Sequence, residues 1–197
     1  MKRALVLGLL LAAVAVTALL INRLQREGSS LAEIKRGDVV LMDAQTIERR
    51  FALLSRRHTN KCGLAPESLE KIAANGRLQG SCCRPMVLER YIGQVRDLGR
   101  YRAVPEIPAD PYDVPLALAQ RLVSYDRTIT LTPAQQATYD QAVLLSDEGG
   151  PCCCHCWRWS AFEGQAKYLI SHRDYSSRQV AETWGFEDGC GGPGETA

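Results

Sequence analysis

Neither sign of charge predominates in this 197-residue chain: 24 Lys and Arg face 22 Asp and Glu, for a formal net charge of +2. Lys2 and Arg3 alone account for that surplus. With no basic excess left to follow a phosphate backbone, nucleic acid is excluded as the expected partner. No internal repeat of solenoid period is present. Several familiar chemical motifs are missing too: no Gly-rich phosphate loop, no His-Glu-x-x-His and no nucleophile elbow. The acidic residues are scattered over presumed helix faces, where solvated charge is their ordinary role. No catalytic residue is therefore assigned, and a non-enzyme is the favoured class. At 46% hydrophobic and 23% charged, the composition excludes a disordered chain, a collagen-like repeat and a polytopic membrane protein.

What is present begins with one long apolar run. Residues 4–21 are 18 consecutive uncharged, almost wholly apolar positions, between Met1-Lys2-Arg3 and Asn22-Arg23-Leu24-Gln25-Arg26. As a helix at ~1.5 Å per residue they rise about 27 Å, just enough for a bilayer core of roughly 30 Å. The best small-x-small site, Val16-Thr17-Ala18, is buried inside the run, which favours an uncleaved anchor over a cleaved signal. No cysteine lies near its end, so lipoprotein processing is excluded. The expectation is a signal anchor over residues 1–27, with the rest of the chain on the exported, periplasmic or extracellular side. Disulfides can persist in that compartment.

Beyond the anchor the pattern is mainly α. Ile47, Phe51 and Leu54 recur at helical spacing within residues 43–57, and Pro66-Glu67 opens a short helix over 66–74. Val87, Tyr91, Val95 and Leu98 share one face of a helix over 86–98. Residues 104–115 carry four of the nine prolines and are predicted to form a stiff, extended connector. Helices are expected over 116–125, from a Thr132 cap with Pro133 in the first turn, and over 160–171 and 176–184. The alternation Thr-Ile-Thr-Leu-Thr over 128–132 suggests one short strand. The predicted organisation is thus the anchor at 1–27, a helical N-terminal part at 28–103, the connector at 104–115 and a helical C-terminal part at 116–197. The fold class is a membrane-spanning helix followed by a small helical domain with a Cys-rich loop.

The eight cysteines are the anomaly. Pro151-Cys152-Cys153-Cys154-His155-Cys156-Trp157 places four thiols and an imidazole in five residues. Thiolate suits Cu(I) and zinc, and imidazole suits copper and zinc. In an extended backbone, alternate residues point the same way, so Cys152, Cys154 and Cys156 converge, with Cys153 and His155 opposite as further ligands. A helix starting near Trp157 would favour thiolate at the cluster. Cys190, on a glycine loop, is the expected distant ligand. His172, near a helix end, is better explained by the helix dipole. Covalent haem fails on spacing, because Cys153-x-x-Cys156 is followed by Trp157. Trp157, Trp159 and Trp184 are expected as core residues packed near the site.

Two alternatives use the same residues. Cys62 bridged to Cys82 or Cys83 would close a loop of about 20 residues, worth roughly 3 kcal/mol, in a disulfide-stapled subunit of a membrane complex. Cys153 and Cys156 would instead serve a thiol–disulfide oxidoreductase, although no thioredoxin-like βαβ pattern surrounds them.

The run Pro151 to Cys156 reads Pro-Cys-x-Cys-x-Cys. It resembles the signature of the bacterial exported or membrane-attached proteins named for a PCYCGC motif, with Cys153 and His155 in place of its tyrosine and first glycine. The likeness covers the cluster and at most about 60 residues around it. It implies export and a cysteine-built site, and no reaction. Together these features predict a membrane-tethered metal-handling protein. Copper is the first expectation and zinc the second, held by Cys152, Cys154 and Cys156 with Cys153, His155 and Cys190. Its partners would be the membrane, the metal ion and a protein of a membrane complex.

Overall fold

Local signals in the sequence account for most of the helices. A computed structural model describes residues 44–73 and 75–191, so the predicted anchor lies outside the described residues. The helices are α1 (Ala44–Leu54), α2 (Pro66–Leu69), α3 (Leu88–Leu98), α4 (Leu116–Thr128), α5 (Pro133–Leu145), α6 (Trp157–Arg173) and α7 (Ser177–Glu187). A 3-10 turn at Gly99–Tyr101 extends α3. None of the described helices is long and apolar enough to cross a membrane. Contacts divide the chain after Ile47, so that only the first turn of α1 belongs to the earlier unit; every other element belongs to the unit that starts at Glu48.

Capping fixes where the later helices begin. Thr132 and Gln135 form a capping box at α5, with Pro133 in its first turn, and Ser176 and Gln179 form another at α7. Helix α6 ends at Asp174, whose φ of 53° is the left-handed conformation that commonly closes a helix. The predicted strand over 128–132 does not form. Thr128 completes α4, and Thr132 turns its hydroxyl to the Gln135 amide, so neither threonine enters a ladder.

Strand pairing occurs elsewhere. β1 (Arg77–Gln79) runs antiparallel to β2 (Asp113–Pro115), with Leu78 opposite Val114. β2 thus falls within the proline-rich 104–115 segment, for which the sequence predicts no element. That segment is also tied down by buried Asp110. The Asp110 carboxylate accepts hydrogen bonds from Arg50 (2.7 Å), the Tyr91 hydroxyl (2.8 Å) and the Tyr112 amide (2.9 Å). Ile107, Tyr112 and Val114 are buried, because four prolines set the path of the segment but do not keep its apolar side chains in water.

Helices α4 and α6 make the most extensive pairing in the structure. Their backbones nearly touch at Gly164, where a Cβ would lie 2.0 Å from the Leu122 carbonyl oxygen. The C-terminal half of α6 joins α5 and α7 in one apolar core of Phe162, Ala166, Ile170, Tyr139, Ala142, Val180 and Trp184. Its N-terminal end joins α2, both strands and α4 in another, where Leu69, Leu78, Leu116, Leu122 and Trp157 pack with Cys152, Cys156 and Cys190.

Candidate metal centre

Four separate segments carry the eight cysteines to one place, each held by backbone or buried polar contacts. The segment of Cys62 is positioned by buried Asn60. Its side chain donates to the Gly80 carbonyl (3.0 Å) and accepts from the Trp157 indole (3.0 Å), while the Trp157 amide donates to the Leu64 carbonyl (2.8 Å). The segment of Cys82 and Cys83 runs alongside that of Cys190: the Cys82 amide donates to Gly189 (3.1 Å) and the Arg84 amide to the Cys190 carbonyl (2.8 Å). Cys190 is turned by Asp188, whose carboxylate accepts from the Cys190 amide (2.9 Å) and pairs with Arg90. Cys152 to Cys156 form a series of bends leading into α6, with the Cys156 amide donating to the Cys154 carbonyl (2.9 Å).

The resulting sulfur–sulfur separations are short. Cys62 lies 3.1 Å from Cys154, Cys82 3.4 Å from Cys83 and 3.5 Å from Cys190. Cys190 in turn lies 3.2 Å from Cys153 and 3.6 Å from Cys152. Three groups of three sulfurs, each within 4.8 Å of one another, have metal-binding spacing: Cys62 with Cys83 and Cys154, Cys82 with Cys83 and Cys190, and Cys152 with Cys153 and Cys154. Cys156 contacts Cys152 and Cys154. All eight thiols are free, and each of these separations is far longer than the roughly 2.05 Å of a disulfide.

Compared with known proteins, the chain matches no family model, no curated protein and no solved structure. The chemistry of the centre therefore rests on its own residues.

Crowding sets how the thiols ionise. Burial pushes the Cys83 thiol up to about 11, with Cys62 and Cys153 adding to the rise and Cys82 opposing it. At Cys152 the contact with Cys156 favours thiolate, yet Cys190 and burial outweigh it and leave the thiol at about 12. Cys156 rises through its contact with Cys152 and through burial, against the Arg158 amide. Cys154 rises through burial and its contact with Cys62. For Cys190 the contact with Cys152 favours thiolate, but Cys82, burial and Asp188 prevail. Helix α6 does begin at Trp157, but its positive end does not produce the low-pKa thiols expected from the sequence. Neighbouring sulfurs and lost hydration are the stronger effects here. These five thiols are neutral at neutral pH, and a cation is what would convert them to thiolates.

One cation is already present. Arg158, wholly buried in the first turn of α6, donates to the carbonyls of Glu187 (3.0 Å) and Pro111 (2.8 Å), and its Nε has no partner. Its guanidinium lies 5.0 Å from the Trp157 ring and 5.2 Å from that of Phe162. Burial opposes its charge, but Asp188 and the thiols of Cys82, Cys152 and Cys190, once ionised, outweigh it. Gly189 is required for this approach, since a Cβ there would lie 2.4 Å from an Arg158 nitrogen. Buried Glu187 is no counter-charge. Burial raises its carboxyl to about 8, against the hydrogen bond from Gln165 and the charge of Arg158, so it is a neutral acid at neutral pH.

Of the predicted ligands, Cys152, Cys153 and Cys154 form one group, Cys190 joins Cys82 and Cys83, and Cys156 lies against the first group. The expected alternation of directions through 152–156 is absent, because these residues bend and do not run as a strand. His155 belongs to none of the three groups; it is exposed and stacks on Trp159 with ring centroids 3.9 Å apart. His172, exposed near the end of α6, stacks on Tyr168. The staple of Cys62 with Cys82 or Cys83 does not form: Cys62 lies within 4.8 Å of Cys83 and 3.1 Å from Cys154 as a free thiol, while Cys82 is paired to the Cys190 segment. Cys153 and Cys156 take different partners, Cys190 for the first and Cys152 and Cys154 for the second. Trp157 packs beside the centre, whereas Trp184 belongs to the other core. Sequence reasoning missed Arg158 and Asn60, and left open whether Cys62, Cys82 and Cys83 extend the site or form a bridge of their own. A charge wedged between Trp157 and Trp159, and a turn-forming Asn two residues before Cys62, were the available signals.

Proposed function

We propose that this protein handles a soft metal ion, copper first and zinc second, in a thiolate centre built from its eight cysteines. The observation that carries the proposal is the convergence of all eight free thiols from four segments into one cluster. Thiolate is the ligand that selects such ions. In this proposal residues 1–27 tether the chain to a membrane, with the centre on the exported side. That compartment oxidises thiols only a few ångströms apart, and a bound metal protects them from it. The exposure of Cys62, Cys83 and Cys153 favours delivery over permanent storage, because an acceptor protein's thiol can reach them to begin ligand exchange.

The test is native mass spectrometry of the purified chain, with thiols counted by alkylation under denaturing conditions before and after metal removal. The expected result is stoichiometric copper or zinc, with thiols that become reactive once the metal is removed. Four disulfides and no metal uptake after loading would overturn it and leave the stapled-subunit alternative.

A further inference from the structure

The three sulfur groups are not independent. Cys83 belongs to the groups of Cys62 and of Cys190, and Cys154 to the groups of Cys62 and of Cys152. An ion in each group requires that these two sulfurs each serve two ions. A thiolate has the lone pairs to do so, whereas an imidazole nitrogen has only one, and no histidine belongs to any group. Each group brings three sulfurs within 4.8 Å of one another, and the further neighbours, Cys156 and Cys190 at the group of Cys152, do not meet that spacing to all three members. Structural zinc closes its sites with four ligands, while soft monovalent copper is satisfied by three thiolates. Thiolates outnumber monovalent ions in such an assembly, which leaves net negative charge. Arg158 is the feature that answers this: a fully buried guanidinium two residues after Cys156, packed against Gly189 next to Cys190, with its Nε unpartnered.

Resting on the metal-handling proposal above, we infer that the centre is polynuclear: it holds at least three cuprous ions at once, with Cys83 and Cys154 as bridging thiolates and Arg158 as the buried counter-charge. Each ion enters as Cu(I), the thiols that bind it release their protons to water, and no electron is transferred. Arg158 touches no ion and acts by positioning charge.

The full chain, reduced and kept without oxygen, would be titrated with Cu(I) supplied as its acetonitrile complex and read by native mass spectrometry. Three or more ions per chain at saturation are expected. A single ion at saturation would overturn the polynuclear inference and leave the proposed function standing, whereas no ion at all would overturn both the inference and the copper reading of that function. Iron with inorganic sulfide on the isolated protein would overturn the copper assignment. The bridging assignment is read from three variants whose metal-free melting is checked alongside. Cys83→Ser and Cys154→Ser should each lose two ions, because each disrupts two groups, while Cys153→Ser should lose one. Equal losses from all three would refute the bridging roles. Arg158→Lys, which keeps the charge, should retain affinity better than Arg158→Met, which is expected to weaken it about tenfold or more. Equal affinity in these two would refute the counter-charge role.

Discussion

The two ends of helix α6 are buried against different materials. Toward its C-terminus, Phe162, Ala166 and Ile170 meet Tyr139, Val180 and Trp184, and the core is closed by hydrocarbon and aromatic rings. At its N-terminus, Trp157 and Ala161 meet Leu69, Leu122 and three cysteines, beside a buried guanidinium. The first core is complete as an apolar packing. The second ends in neutral thiols raised in pKa by one another and by burial, together with a buried cation whose hydrogen bonds go to backbone carbonyls. Apolar cores are stabilised by the chain's own burial, whereas a core finished with sulfur and charge is completed by a ligand.

The largest expected effect breaks the hydrocarbon end. Phe162→Ala removes a fully buried ring and should destabilise the fold by about 3–5 kcal/mol. Chemical denaturation with and without copper should give the same loss; a loss that copper abolishes would mean that the two cores are not distinct in kind.

Glu187 supplies the next effect, on the order of a few kcal/mol, and it depends on pH. Its folded value of about 8 lies above that of an unfolded carboxyl. Between the two values the folded state holds a proton that the unfolded state has released, so stability falls as pH rises through that window and levels off above about 8. Denaturation midpoints at pH 5 and pH 8.5 should therefore differ in the wild type and differ less in Glu187→Gln. A variant with an unchanged pH slope would show that another group is responsible.

At the sulfur end, Asn60→Ala should leave the Gly80 carbonyl and the Trp157 indole without partners, at a loss of about 1–3 kcal/mol. Metal that binds only the folded chain should offset this loss, by about 4 kcal/mol at a thousandfold excess over Kd. No such offset in a paired thermal melt would separate the Cys62 segment from the metal centre. The smallest effect is expected at Ser176→Ala, which removes the α7 cap for about 1 kcal/mol in either metal state. A copper-dependent loss there would extend the influence of the centre across the whole of α6.

These two ends also differ in how far the sequence revealed them. The caps at Thr132 and Ser176 and the periodicity of Leu88 to Leu98 act within one or two turns, and a linear string carries that information in full. The start of α6 near Trp157 is legible for the same reason. The Thr128 to Thr132 alternation misleads because a strand needs a partner, and the available Thr side chains cap or complete helices. At the centre, the crowd of thiols at 152–156 is visible by composition alone, but its internal directions are not. Those depend on bends fixed by the Cys154 carbonyl and the onset of α6.

The sequence by itself determined a mainly helical chain and a concentration of soft ligands beside a helix start, since both are properties of neighbours along the backbone. Tertiary structure alone decided that Cys62, Cys82 and Cys83 join Cys190 and the cluster, that His155 stacks on Trp159, and that Arg158 is buried against Gly189, next to Cys190. The reason is distance along the chain. Cys62 and Cys154 are separated by 92 residues and meet at 3.1 Å, through contacts such as Asn60 with Trp157 that no local pattern encodes.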